Sequence, residues 1–301
     1  MVNPSRSSTC PLCGGAAPWA FRHRVLSRSS AELHLCAQCD YLFASQPDWL
    51  TEAYERVINV MDTGCLARTE SLRETTALAI YLLTGQAGRW LDFGGGHGAY
   101  ARRMRDTGFD FRWWDPLAKN LFACGFEASP GETFDGLTCW ECLEHFTDPR
   151  AETAKMRARA PRILFSTELR PERLPAPDRW WYYGWEHGQH VGFHSLSSLS
   201  VLAEGLGLRL VSSGKSLHAF LPPGEEDSAA ARLIRRGSLP VSSWLRSPLR
   251  DLWSPRALGR SLLHRRILSK DLVGTLEHRL GSRIWPDLEL MRSRLATLSQ
   301  P

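Results

Sequence analysis

The 301-residue chain has no run of 18 or more apolar residues, so nothing in it reads as a membrane-spanning helix. Its first residues (Met1-Val2-Asn3-Pro4-Ser5-Arg6) lack the apolar core of a signal peptide, and the expected compartment is the cytoplasm. Internal repeats and low-complexity tracts are missing too, which leaves no sign of a repeat array or a biased linker. Charge of either sign is in small excess. The net value is +5, but residues 226–301 hold 14 Lys/Arg against 7 Asp/Glu, while the preceding 225 residues hold 23 against 25. All the excess positive charge therefore sits in the tail. What is present is a globular composition, 43% hydrophobic and 23% charged, in a chain long enough for a core domain plus appendages.

The eight cysteines are not spaced like a disulfide framework. Cys10-x2-Cys13 and Cys36-x2-Cys39 form two knuckles able to supply four thiolates in a tetrahedron around zinc. Turn-compatible residues follow each pair, Gly14-Gly15 after the first and Asp40 after the second, and the segment between can form a short hairpin. Four thiolates close the coordination shell, so such a Zn2+ is structural. Cys139-x2-Cys142 is different. A redox pair is expected near the start of a small βαβ unit, and this one sits deep in a longer pattern, which favours plain thiols.

After the cysteine region, Gln46-Pro47-Asp48 reads as a helix start, with helical spacing through 49–60 and again through 69–83. From residue 89 strands and helices alternate. Strand candidates are 89–93, 111–114, 134–140, 162–167, 208–212 and 217–221; helix candidates are 97–107, 115–124, 148–160 and 195–205. This alternation predicts a mostly parallel sheet covered on both faces.

The most informative stretch is Leu91-Asp92-Phe93-Gly94-Gly95-Gly96-His97-Gly98. An apolar strand carrying an acidic residue breaks into glycines just before a helix. Gly94, Gly96 and Gly98 tolerate positive φ and remove side chains that would keep a ligand off the backbone. Amides at the helix start can then face a polar group, as suits a nucleotide-like cofactor at the carboxyl end of a first strand. The Asp-x-Gly-x-Gly-x-Gly spacing differs from the Gly-x-Gly-x-x-Gly of dinucleotide enzymes. About 20 residues on, the next strand ends at Asp115, whose carboxylate can accept bonds from ribose hydroxyls or cap the backbone before Pro116. His97 reads as a turn residue.

With Glu141-Cys142-Leu143-Glu144-His145-Phe146, Asp148-Pro149 and His190-Val191-Gly192-Phe193-His194-Ser195-Leu196, these residues resemble the class I S-adenosylmethionine-dependent methyltransferases. They are similar in particular to the branch of methyltransferase domain 23 with a Glu-His pair after its fourth strand. The cysteine ribbon ahead of that domain is similar to sugar methyltransferases of deoxysugar pathways. The resemblance implies a Rossmann-like α/β fold with a mostly parallel seven-stranded sheet and helices on both faces. It divides the chain into a zinc ribbon (1–45), a helical linker or lid (46–87), an S-adenosylmethionine-binding methyltransferase domain (88–223) and a basic helical tail (224–301). It implies that Asp92 orients the methionine end of S-adenosylmethionine, that Gly94, Gly96 and Gly98 line it, and that Asp115 holds the ribose.

Methyl transfer needs alignment and, for a hydroxyl acceptor, a proton acceptor. The stretch Trp180-Trp181-Tyr182-Tyr183-Gly184-Trp185-Glu186-His187-Gly188-Gln189-His190 is the region for it. Its aromatic faces suit a sugar ring, or else they plug the domain against the ribbon. His190 falls where the similar sugar enzymes place a catalytic histidine, with Gln189 where they have Glu. His187, Glu141 and His145 are further candidates, Glu141 and His145 also readable as helix-capping residues. The reading is methyl transfer to a small-molecule acceptor, a hydroxyl (or carbon) of a sugar or glycan intermediate. The alternative is an RNA methyltransferase that holds nucleic acid through ribbon and tail. It is disfavoured because the ribbon is not especially basic and no Asn-Pro-Pro-Tyr type signature follows Thr138. Trp244, Leu245, Leu249, Leu252 and Trp253 among arginines also suit a peripheral membrane contact, or helices packed on the core.

Overall fold

The ribbon hairpin is held by apolar alternation. β1 (Ser7–Thr9), β2 (Ala16–Val25), β3 (Ser29–Leu35) and β4 (Leu42–Ser45) form an antiparallel sheet in that order, with Ala31 and Leu33 of β3 buried. The computed structural model describes residues 7–55, 62, 64–85 and 88–237, together with 283, 286, 287, 289, 290 and 293. α1 (Leu50–Ala53) and α2 (Cys65–Thr84) follow the ribbon. The expected helix over 49–60 is therefore observed only as one turn, and residues 56–61 lie outside the described residues.

The second sheet contains β5 (Arg89–Phe93), β6 (Asp110–Trp114), β7 (Gly136–Trp140), β8 (Ile163–Ser166) and, beyond the two-residue β9 (Gly192–Phe193), β10 (Arg209–Ser212) and β11 (Leu217–Leu221). Its order is β10-β11-β8-β7-β5-β6, parallel from β8 to β6, with β11 antiparallel to both β8 and β10. β5 and β7 are central and buried on both faces, as their continuous apolar runs require. α3 (Ala99–Thr107), α4 (Pro149–Arg159), α5 (Leu196–Gly205) and α6 (Ala229–Arg235) complete the layers, with α2 packed on α3 and α6. Their starts are chemical. The Asp148 carboxylate accepts from Ala151 N ahead of Pro149, and Ser195 and Ser198 form a reciprocal capping box.

Two expectations are corrected. Among the described residues the sheet has six strands, not seven: beside β6 there is only a single parallel bridge, Trp113 to Glu127. The helix expected over 115–124 is a series of turns. There the Asp115 carboxylate accepts from Leu117 N (2.8 Å) and Ala118 N (2.7 Å), and His97 O accepts from Leu121 N and Phe122 N (3.0 Å each). Side chain and carbonyl take the amides a helix would have used.

β9 pairs antiparallel with β4, so a strand from late in the chain completes the ribbon sheet. A Cβ on Gly192 would stand 2.0 Å from Tyr41 Oη, so only glycine lets β9 lie against that ring. Two clusters bind the ribbon to the rest: one packs Leu12, Tyr41 and Phe43 with Leu91, Phe93 and Leu137 of the second sheet, the other packs Val25, Leu33 and Leu42 with Trp49, Tyr182, Tyr183 and Phe193. Arg170, almost fully buried, makes an ion pair with Asp40 of the second cysteine knuckle. At the opposite edge, Asp287 bonds Arg105 with both oxygens (2.8 and 2.6 Å) and is itself buried.

Candidate active site

The glycine turn is shaped by backbone conformation and one carboxylate. Gly94 and Gly98 have φ of +68° and +88°, and Gly98 caps α3 in the left-handed region, where a side chain is strained. There is no room either: a Cβ on Gly98 would meet Ala123 N at 3.0 Å, and one on Gly94 would meet Cys142 Sγ at 2.7 Å. Asp115 Oδ2 accepts from Gly96 N (2.9 Å), which ties the end of β6 to the turn after β5. Asp92 is 1% exposed, and its Oδ1 accepts from Thr138 Oγ1 (3.0 Å). Its Oδ2 has no hydrogen-bond partner among the described residues. Burial pushes the Asp92 carboxyl up to about 7, with the Thr138 bond pulling the other way. A buried, half-satisfied carboxylate beside glycines with no room for side chains fits a polar ligand end brought against the turn.

The loop after β7 runs beside this turn, with Cys142 Sγ 3.7 Å from Gly94 O. Glu141 there has a φ of +51°, a conformation that costs a non-glycine residue about 1–3 kcal/mol and that recurs at functional sites. Its amide and carboxylate both engage Ser166 Oγ at the end of β8. Burial, then the neighbouring Glu144, push Glu141 up to about 7. Glu144 is fully buried and, also through burial, is pushed up to about 7. The hydroxyls of Tyr182 and Thr167 face it and offset part of that rise, but they lie 3.2 Å from one another, and neither makes a well-directed bond to the carboxylate.

Three imidazoles gather over these carboxylates. The rings of His145 and His190 are 5.1 Å apart, and those of His187 and His190 are 4.7 Å apart. His190 Nδ1 sits 2.6 Å from Tyr182 O, so Nδ1 carries the proton and Nε2 the lone pair. Tyr54 Oη is 2.9 Å from His145 Nδ1. His187 Nδ1 accepts from Gln189 N (3.1 Å). Burial pulls His187 and His190 down to about 4 and His145 well below its usual value, so all three are neutral near pH 7. Arg68 of α2 faces Glu141 and is held by Asp62 through two bonds (3.1 and 2.7 Å).

In the ribbon, the Sγ atoms of Cys10, Cys13, Cys36 and Cys39 all lie within 4.8 Å of one another. Two opposite edges measure 3.7 Å (Cys10 to Cys39) and 3.4 Å (Cys13 to Cys36). Zn–S bonds of about 2.3 Å in a tetrahedron give S–S edges of about 3.8 Å. Gly15 N and Gln38 N point at Cys13 and Cys36 sulfurs (3.4 Å each), as donors around a thiolate site do. The four thiols fit a closed structural zinc centre.

A family model described as a methyltransferase domain matches residues 67–213. Over that stretch the chain is similar to the methyltransferase-domain family. No match was found among curated proteins. Among solved structures the chain is similar to CalO1, a methyltransferase of calicheamicin biosynthesis in its SAH-bound form, at 18% identity and a TM-score of 0.38, covering 52% of this chain and 55% of that one. It is also similar to the magnesium protoporphyrin IX methyltransferase ChlM of Synechocystis PCC 6803 with bound SAM (14% identity, TM-score 0.37, 58% of this chain and 94% of that one). A third is the O-methyltransferase NcsB1 from neocarzinostatin biosynthesis, in complex with SAH and 1,4-dihydroxy-2-naphthoic acid (14% identity, TM-score 0.37, 58% and 60%). The matched region spans about half the length of the first of these.

Within the matched region, Asp92, Gly94, Gly96, Gly98 and Asp115 come together as one cradle, while Glu141, His145, His187 and His190 gather beside it. The aromatic stretch behaves differently from its pocket-covering reading. Tyr182 and Tyr183 are buried, Trp180 and Trp185 pack with them against the ribbon core, and Trp181 is 77% exposed. These aromatics anchor the histidines to the ribbon. The sequence pattern missed Tyr54, Asp62 and Arg68, and it marked Glu144 only as part of a motif. Tyr54 carried no signal beyond an aromatic residue in a helical stretch. The tail segment of the membrane reading (244–253) lies outside the described residues, as does most of the basic tail that the RNA reading invokes beside the ribbon.

Proposed function

We propose that this protein transfers a methyl group from S-adenosylmethionine to a small-molecule acceptor, at a hydroxyl (or carbon) of a sugar or glycan intermediate, with His190 taking the acceptor's proton. The observation that carries this reading is the contact between the two loops. The glycine turn and the Glu141–His145 loop touch through Gly94 and Cys142, so a donor cradle and a set of neutral imidazoles open onto the same sheet edge. Such adjacency is what an in-line transfer needs.

In this reading Asp92 Oδ2, the unpartnered oxygen, receives the amino group of the methionine end, and the turn at Gly94 and Gly96 passes close to it. Asp115 already accepts three backbone amides, which leaves its carboxylate about one lone-pair site for a ribose hydroxyl rather than the two first expected. When bound, S-adenosylmethionine supplies a methyl group on a sulfonium, already activated for displacement. The residues of this chain then align the acceptor and accept its proton. His190 is oriented by Tyr182 O, its Nε2 lone pair is free near pH 7, and Glu144, which converges with it to within 4.8 Å, would offset the charge of an imidazolium forming there. A structural Zn2+ on Cys10, Cys13, Cys36 and Cys39 would hold the ribbon against which the His190 loop packs.

Calorimetry with S-adenosylhomocysteine tests the donor site, and a purified protein that does not bind it rules out the methyl-transfer reading. Once labelled cofactor has identified an acceptor, His190→Ala is expected to lower kcat by about 10²–10⁴-fold with cofactor affinity unchanged. Full turnover in that variant removes the proton-acceptor role.

A further inference from the structure

We propose that Glu144, His145 and His190 form a second metal site, for a divalent transition cation, beside the glycine turn. One ligand atom from each of the three residues converges, all within 4.8 Å of one another. Glu144 is fully buried, and both carboxylate oxygens lack a hydrogen-bond partner among the described residues. An orphaned buried carboxylate calls for an explanation, and an ion held on it is one of the few available. No Lys or Arg among the described residues forms an ion pair with Glu144 or Glu141, and Arg68, which faces Glu141, is itself held by Asp62. The cluster has acidic charge and neutral nitrogen lone pairs, and the Arg68 guanidinium acts on Glu141 and Glu144 only through space.

The surroundings of the two imidazoles support the same conclusion. His190 gives its Nδ1 proton to Tyr182 O, and His145 Nδ1 is engaged by Tyr54 Oη. The carbonyl fixes the ring orientation and tautomer of His190 and leaves its Nε2 as the lone pair, and a Tyr54 oxygen that accepts from His145 Nδ1 would do the same for that ring. Two imidazoles and one carboxylate select Zn2+, Fe2+, Co2+ or Ni2+ over Mg2+ or Ca2+. Three protein ligands also leave a coordination position open, unlike the closed four-cysteine set. An acceptor hydroxyl bound there would lose its proton to solvent at lower pH, with His190 acting as ligand in place of base. That last role rests on the methyl-transfer reading; the metal site itself does not.

Titration of the metal-depleted full-length chain with Co2+, followed by absorption, separates the two centres. One equivalent is expected with intense sulfur-to-cobalt charge-transfer bands, and a second with weak ligand-field bands and no sulfur signature. Glu144→Gln, nearly isosteric, and His190→Ala should each abolish the second equivalent and leave the first, whose bands also report that the ribbon is folded. Wild-type protein that takes up one equivalent only, with sulfur bands alone, overturns the proposal. So does a second equivalent that survives in both variants. Binding of S-adenosylhomocysteine measured on the same samples stands apart: if it binds and no second cation does, the methyl-transfer reading survives and this one falls.

Discussion

The two sides of the candidate site are built in opposite ways. The donor side is local: Asp92, the glycine turn and Asp115 come from adjacent strands within about two dozen residues, and backbone conformation does most of the work. The acceptor side is assembled from Tyr54, Asp62 and Arg68, the loop from Glu141 to His145, and His187 and His190. These elements meet only because β9 pairs with β4 and the aromatic stretch packs on the ribbon. One side is thus stabilised by a strand–turn–helix unit, the other by the way two sheets are docked. Perturbations that loosen the docking should separate them.

Removing zinc is the strongest such perturbation. Metal binding by isolated structural zinc modules is worth about 10–16 kcal/mol, and it is largely folding free energy. Cys39 O lies 3.4 Å from Ser195 Oγ, and Trp49 Nε1 donates to Gly188 O (2.8 Å), so a disordered ribbon pulls directly on the histidine loop. Chelation is expected to abolish turnover while affinity for S-adenosylhomocysteine falls by less than about tenfold. Equal loss of both, measured by calorimetry and by methyl transfer on the same preparation, would break the comparison.

Asp92→Asn probes the donor side and should give an opposite pair of effects. Losing a charged acceptor for the donor molecule's amino group is worth about 1.5–3 kcal/mol, so cofactor affinity should drop roughly 10- to 100-fold. Stability should change the other way. The Asp92 carboxyl is raised to about 7 in the folded chain, against about 3.9 unfolded, so the folded state binds the extra proton. Its favourable contribution is complete below about pH 4 and is lost as pH rises toward 7. Asparagine has no such loss. The variant should therefore match wild type near pH 4 and exceed it at pH 8 by on the order of 4 kcal/mol, read from denaturant unfolding at both pH values. A variant destabilised at pH 8 would contradict the burial argument.

This contrast also explains what could be read from sequence. Cys10, Cys13, Cys36 and Cys39 were legible because two short-range knuckles carry their own spacing. The turn at Gly94 and Gly98 was legible because positive φ leaves a compositional mark. β5 and β11 were legible because buried strands are mostly apolar, and β6 because its buried Phe111 and Trp113 alternate with partly exposed residues. The segment after Asp115 was not, since its helix-like spacing lost to a carboxylate that captures Leu117 and Ala118 amides. Nor was β9, a two-residue strand whose pairing partner lies some 150 residues earlier. His145, His187 and His190 were legible as residue types in a motif, whereas their convergence on Glu144 and Tyr54 depends on tertiary contacts that leave no periodic trace.

Tyr54→Phe is the smallest of these perturbations and the most selective. The ring keeps its edge contact with His145 (centroids 6.1 Å apart), and only the hydroxyl that meets Nδ1 is lost. A typical intramolecular hydrogen bond contributes about 0.5–1.5 kcal/mol, so the melting temperature should move little. Turnover should fall by about three- to tenfold, because an imidazole without its partner samples other orientations. Burial first, then Cys142, Glu144 and Asp115 nearby, push the Tyr54 pKa up, which places its hydroxyl between the two sides of the candidate site. If the donor side is as self-contained as its local construction implies, cofactor affinity in Tyr54→Phe stays within a factor of two of wild type while kcat falls. If both fall together, the hydroxyl belongs to the donor cradle as well, and the boundary between local and assembled halves runs through α1 instead of between the β5 turn and the β7 loop.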